Sequence, residues 1–157
     1  MEHMVEVRLR AMTEADVAQV TALEQECFSD AWSEKLVSDL IGSSYDEVWV
    51  LEEPDKGIVG YINIRFLAGE GELMRIAVKK DCRGRGYSKK LMDRMMESAR
   101  ESDAPELTLE VRAGNEPAIG LYQSYGFVSE AVRKGYYHNP TEDALIMWLH
   151  GLPSIPT

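Results

Sequence analysis

Apolar and polar positions along this chain change their period every ten to fifteen residues, and each change marks an element. Val5-Glu6-Val7-Arg8-Leu9 alternates and predicts a strand. The period then turns helical, with Val17, Val20, Ala22, Leu23 and Cys27 following a start marked by Thr13 and Asp16. A second helix is expected from Ser33, a good cap, through Leu36, Val37, Leu40 and Ile41 to a stop at Gly42. Residues 48–51 and 58–66 are β-rich runs split by Pro54-Asp55-Lys56-Gly57, which reads as the turn of a hairpin. Residues 73–78 predict another strand, followed by a loop and a helix over 87–102 whose stripe of Leu91, Met92, Met95, Met96 and Ala99 belongs in a core. Leu107, Leu109 and Val111 alternate as the next strand. Asn115 suits the cap of a short helix ending near Tyr125, and residues 127–132 and 144–148 supply the last two strands.

Seven strands and four helices in this order describe an α/β chain with a mixed sheet. Strands joined by short turns should be antiparallel. The step from 73–78 to 107–111 passes through a helix, which demands a parallel, right-handed crossover. Ligands collect at the C-terminal ends of such parallel strands. The 157 residues carry no repeats or linkers and are expected to form a single domain over 1–157. Residues 1–3 read as a cloning remnant ahead of a start at Met4, and 151–157, with two prolines, as a fraying tail.

Composition narrows the classes. At 45% hydrophobic and 28% charged the chain is ordinary for a globular domain, and no run approaches the roughly 20 apolar residues of a membrane span. With no secretory signal in view either, a cytoplasmic protein with no membrane role is expected. Cys27 and Cys82 form no spaced motif, and His3, His138 and His150 stand at no catalytic or ligand spacing, so no disulfide framework and no metal are expected. A net charge of −10 argues against a grip on nucleic acid. It suits a cationic acceptor, or simply a solvated acidic surface, and composition leaves both open.

The chemistry concentrates in Arg83-Gly84-Arg85-Gly86-Tyr87-Ser88, between a strand and a helix start. Backbone N–H groups there lack internal partners and the helix dipole is positive, so a pyrophosphate would be stabilised. Two glycines allow close approach, and Arg83, Arg85, Lys89 and Lys90 reverse the sign of an otherwise acidic chain. The segment is neither a Walker loop nor a dinucleotide fingerprint.

This loop resembles the Arg/Gln-x-x-Gly-x-Gly/Ala signature of the GNAT acyl-CoA N-acyltransferases, matched at Arg83 and Gly86 with Ser88 at the final small position. Ile76-Ala77-Val78, the run from Leu109 to Asn115, the run from Ala118 to Phe127, Tyr136-Tyr137 and Trp32-Ser33-Glu34-Lys35 resemble the RimI-type ribosomal-protein alanine acetyltransferases across nearly the whole chain. The resemblance implies the GNAT fold and acetyl-CoA as co-substrate, held by residues 74–88. Its cofactor-binding residues would be Ile76, Ala77 and Val78 on a bulged strand that splays from its neighbour, the loop Arg83, Gly84, Arg85, Gly86, Tyr87 and Ser88, and Asn115 and Tyr122. It implies Glu110 as proton acceptor, directly or through water, Tyr122 as proton donor to the thiolate, and Trp32, Tyr136 and Tyr137 along an acceptor channel. The acceptor it implies is the N-terminal amine, alanine first, of a ribosomal protein. By alternation alone, Glu110 shares a polar face with Thr108 and Arg112 and reads as plain surface, and Tyr122 joins a helical apolar stripe and reads as core. Other acceptors, namely a lysine side chain, a polyamine or a small-molecule amine, stay open, as does a non-catalytic coenzyme A-binding module.

Overall fold

A computed structural model describes residues 6–152. The elements run β1 (Arg8–Ala11), α1 (Val17–Cys27), α2 (Glu34–Asp39), β2 (Asp46–Glu53), β3 (Gly57–Leu67), β4 (Glu70–Val78), α3 (Tyr87–Glu101), β5 (Glu106–Arg112), α4 (Glu116–Ser124), β6 (Val128–Tyr137) and β7 (Glu142–Leu149). The strands form one seven-stranded sheet in the order β1-β2-β3-β4-β5-β7-β6. β4 and β5 are parallel, and the pairs β1/β2, β2/β3, β5/β7 and β6/β7 are antiparallel. The mixed sheet and its helical crossover are as the pattern predicts.

Several boundaries differ from those expected. The first strand lies at Arg8–Ala11 rather than 5–9, and Val5 falls outside the described residues. Arg10 explains the shift: its guanidinium reaches Asp16 at 2.7 Å and Glu52 at 3.2 Å, fixing this stretch against β2. The guanidinium also holds the Asp16 carboxyl down at about 2. The second helix begins as expected, with Ser33 Oγ accepting from the Leu36 N–H at 3.2 Å, but ends at Asp39 and leaves Leu36 exposed. β6 runs on to Tyr137, five residues past the expected end, because its pairing with β7 carries it there through two register shifts. The cloning remnant at 1–3 and residues 153–157 of the expected fraying tail lie outside the described residues. Within that tail Leu152 donates its N–H to the Pro105 carbonyl at 2.8 Å.

The chain separates into two compact units, Met1–Arg65 with Met74–Met95, and Phe66–Leu73 with Met96–Thr157. In the first, Val20 and Leu23 of α1, Val37 of α2, Val50 of β2, Tyr61 of β3 and Ala77 of β4 share one buried cluster. Each large apolar side chain so buried contributes roughly 1.5–3 kcal/mol. Gly60 permits close packing over β3: a Cβ there would meet the Ala77 carbonyl at 3.1 Å and Leu91 of α3 at 3.5 Å. The predicted stripe of α3 is buried at Leu91, Met92, Met95, Met96 and Ala99.

In the second unit Leu107, Leu109 and Val111 bury one face of β5 with Phe127, Ala144 and Met147. The opposite parity includes Thr108, whose hydroxyl donates to the Met147 carbonyl at 3.0 Å. Gly71 is required by its neighbours, since a Cβ there would lie 2.7 Å from the Leu107 side chain and 2.9 Å from Phe66.

Candidate active site

The parallel pairing of β4 with β5 runs from Glu70↔Glu106 to Leu73↔Leu109 and ends there, although β4 continues to Val78 and β5 to Arg112. Buried and half-buried positions alternate in β4 until Met74, then the alternation breaks, with Arg75 and Ile76 half-buried and Ala77 and Val78 buried. The backbone of the three predicted cofactor residues on this strand thus lies beyond the β5 ladder.

In the first unit β4 leads through a short 3-10 turn (Lys80–Cys82) into α3. Gly84 and Gly86 have φ of 83° and 80°, where only glycine sits without strain, and no atom lies within 4 Å of a Cβ built on either. The first backbone bond into α3 runs from the Lys90 N–H to the Gly86 carbonyl at 3.2 Å, so the amides of Tyr87 and Ser88 have no acceptor one turn back. An open, glycine-lined cradle at the positive end of a fifteen-residue helix fits a pyrophosphate.

Two of the four expected cationic side chains, Arg83 and Arg85, are engaged within the protein. Arg85 pairs with the buried Glu53 carboxylate at 3.1 Å, and Tyr87, itself buried, donates its hydroxyl to the same carboxylate. Arg83 donates Nε to the Val78 carbonyl at 3.1 Å and approaches Cys27 Sγ at 3.6 Å. Lys79 reaches Glu26 at 3.3 Å. These side chains brace the loop, and Ser88 stands half-buried in the first turn of α3. Burial pushes the Cys27 thiol up, leaving it neutral.

In the second unit Glu110 projects from β5 with 27% of its side chain exposed, so it is neither core nor a freely solvated surface group. The Tyr136 hydroxyl of β6 donates to it, and that bond raises the tyrosine pKa. Arg133 lies 3.7 Å from the carboxylate. Tyr136 and Tyr137 meet edge to face, with centroids 5.2 Å apart at 80°. Arg112 covers the Tyr137 ring at 4.5 Å and donates to the carbonyls of His138 and Pro140, each at 3.1 Å, which fixes the β6–β7 turn. Tyr122 of α4 is buried, packs edge-on against Phe127 at 6.3 Å, and is held protonated by burial and then by the nearby Tyr137. Asn115 caps α4, accepting from the Ala118 N–H at 3.3 Å.

Trp32 belongs to the first unit, and Tyr136 and Tyr137 to the second. Residues that sequence reading passed over include Glu24, Glu53, Arg75, Arg112 and Arg133. Glu24 was detectable: it stands seven residues after Val17 and four after Val20, inside the apolar stripe of α1, where an unpartnered carboxylate is not tolerated. Among the described residues no group of three or more His, Cys, Asp or Glu side chains is placed to hold a metal ion, and no helix is long and apolar enough to cross a membrane.

The fold is a seven-stranded mixed sheet with one parallel pair, β4 with β5, and it carries a glycine-lined start to α3. The model of the acetyltransferase (GNAT) family matches residues 17–127, and the chain belongs to that family; it is an acetyltransferase, and membership implies acetyl-CoA as co-substrate. Within the family it is related to the RimI-type enzymes. A ribosomal protein bS18-alanine N-acetyltransferase of Salmonella typhimurium is 31% identical over 142 residues, 88% of this chain and 93% of that one. A Bacillus subtilis protein is 34% identical over 142 residues, 90% of this chain and 93% of its own; its assignment to the same activity is provisional. The crystal structure of the ribosomal-protein-S18-alanine N-acetyltransferase from Escherichia coli superposes with a TM-score of 0.85 at 26% identity, covering 97% of each chain.

Proposed function

We propose that this acetyltransferase modifies the N-terminal amine of a ribosomal protein, alanine first, acting as one domain over its length. The observation that carries the reading is the extent of kinship: the relatives that act on bS18 match about nine-tenths of the chain at 29–31% identity. The charge distribution supports it. The second unit, which holds Glu110, carries eleven Asp and Glu against four Arg and Lys, an electrostatic setting suited to the ammonium of a basic protein's N-terminus.

Acetyl-CoA, when bound, supplies the activated acyl group. The amides opening α3 and the glycines Gly84 and Gly86 hold its pyrophosphate, with Arg83, Arg85, Tyr87 and Ser88 shaping the loop and Asn115 contributing beside its capping role. The backbone of Ile76, Ala77 and Val78, freed from the β5 ladder, orients the acyl arm and polarises its carbonyl. Glu110 accepts the proton that the acceptor ammonium must lose before attack, directly or through one water. Tyr122, kept protonated by burial, holds on its Oη the proton needed by the departing sulfur. Trp32 in the first unit, and Tyr136 and Tyr137 in the second, are the residues assigned to the acceptor.

The test is acetyl transfer to a peptide panel read by mass. Peptides beginning with alanine should exceed lysine-bearing peptides and polyamines by about 10²-fold in kcat/KM. Preference for a polyamine or a lysine side chain would move the acceptor assignment to those classes, and coenzyme binding without transfer to any amine would favour a binding module.

A further inference from the structure

One buried ionic network in the first unit serves neither the cradle nor the proton transfers. Glu24 of α1 is fully buried, and its carboxylate accepts from Arg75 Nε at 3.0 Å, from Arg75 Nη2 at 2.9 Å, from the Trp32 backbone N–H at 2.8 Å and from the Tyr61 hydroxyl. Arg75 lies in the strand segment expected to serve the cofactor, yet its side chain is committed to the connection between α1 and α2. Its Nη2 also donates to the Asp30 carbonyl at 3.0 Å. Its planar head lies 3.9 Å from the Phe28 ring and 4.7 Å from the Trp32 ring.

Two aromatic rings, one amide and one carbonyl of the connection between α1 and α2 are therefore tied to β4 through one arginine and the carboxylate that receives it. Lysine cannot replace it, because a point charge offers neither the fork nor the flat faces. Burying such a pair is a poor way to gain stability, since desolvation offsets the attraction and a well-packed apolar substitute is often as stable. What the pair does provide is a single conformation for a connection that has no regular structure of its own.

We infer that Arg75, seated on Glu24, is a positioning residue that sets acceptor selection by holding Phe28 to Trp32 in the binding-ready shape before the acceptor arrives. This rests on the reading of Trp32 as part of the acceptor path. A connection already ordered adds no ordering cost when the acceptor binds, and that saving is lost when the clamp is loosened. The effect falls on acceptor affinity and on discrimination among acceptors.

The experiment compares wild type, Arg75→Lys, Phe28→Ala and Phe28→Tyr, each verified as folded by circular dichroism. The amine that wild type prefers in the panel serves as acceptor, so an error about alanine changes the probe and leaves this test intact. In Arg75→Lys the acceptor KM should rise about tenfold and the preference over the second-best amine shrink by a similar factor, while the KM for acetyl-CoA moves less than about twofold. Phe28→Ala should raise the acceptor KM about threefold, and Phe28→Tyr, which keeps the ring under the guanidinium, should restore it. An unchanged acceptor KM and preference in folded Arg75→Lys would overturn the inference, as would equal losses for both substrates. Should Arg75→Lys not fold, the Phe28 pair decides: no change with alanine, or no recovery with tyrosine, refutes it.

Discussion

Between residues 74 and 95 the first unit carries eight Arg and Lys against two Asp, whereas the whole second unit carries four Arg and Lys against eleven Asp and Glu. The contrast suggests side-chain cations on the coenzyme side and a side-chain anion on the acceptor side, but the contacts tell the two apart differently. Arg75, Lys79 and Arg85 are each paired with a carboxylate, and Arg83 is turned to a backbone carbonyl. Beyond these side chains the loop offers an incoming anion its backbone: two glycines at positive φ and the opening amides of α3. In the second unit the proposed functional atom is a side chain, the half-buried carboxylate of Glu110, which accepts from Tyr136 and is approached by Arg133. On the proposed reading anion binding rests on backbone conformation and proton transfer on a side chain, and substitutions should separate them.

The largest effect is expected on the acidic side. Glu110→Gln keeps an oxygen for the Tyr136 hydroxyl but cannot take a proton, so kcat should fall about 10²–10³-fold while acetyl-CoA binding by calorimetry stays the same. Turnover near wild type from acidic to alkaline pH would remove Glu110 from the base role. Tyr122→Phe, which retains the ring against Phe127, should lower kcat by about tenfold, again without loss of coenzyme binding.

A smaller but more discriminating pair tests the cradle. Gly86→Ala meets no atom within 4 Å, so any penalty comes from the backbone at φ 80° and not from a clash. A non-glycine residue held there costs about 1–2 kcal/mol, and acetyl-CoA KM should rise about tenfold as the loop relaxes away from the binding geometry. Arg85→Ala removes a full positive charge, yet that charge is already answered by Glu53, so KM should rise only about threefold. If Arg85→Ala proved the more damaging, side-chain charge would outweigh backbone and the comparison above would be reversed.

The same division explains what was legible in the chain. The helix α3 was visible because its burial obeys a period, whereas β6 is exposed at nine of its ten positions and shows none; Ser33 and Asn115 were recognisable caps because capping needs only a local oxygen. Gly84 and Gly86 were legible because a backbone at positive φ leaves glycine as its trace. The partners of the charged residues were not, since Arg75 meets Glu24 across 51 positions and Arg85 meets Glu53 across 32, and periodicity carries no information about such pairs. Alternation put Glu110 on the polar face of β5, but its half-burial depends on β6, which no local pattern ties to it.

His150 offers the smallest effect and the one most sensitive to solution conditions. Sequence spacing gave it no role, yet its Nδ1 meets Glu106, the first residue of β5, its Nε2 meets Glu130 of β6 at 2.6 Å, and its ring stacks on Trp148 at 5.4 Å. The bond to Glu106, then that to Glu130, raises its pKa above the ordinary 6.5. A histidine whose folded pKa is raised adds stability that is complete below its unfolded pKa and is lost as pH climbs through the folded one. The Tm gap between wild type and His150→Gln should therefore be widest near ~pH 6 and narrow steadily above neutrality, leaving only the pH-independent share from the Trp148 stack. Because all three groups are exposed, added salt should compress the pH-dependent part and spare the stacking part. A gap that widened with pH, or ignored both pH and salt, would show that the ring acts by packing alone and that the acidic unit makes no use of a charged histidine there.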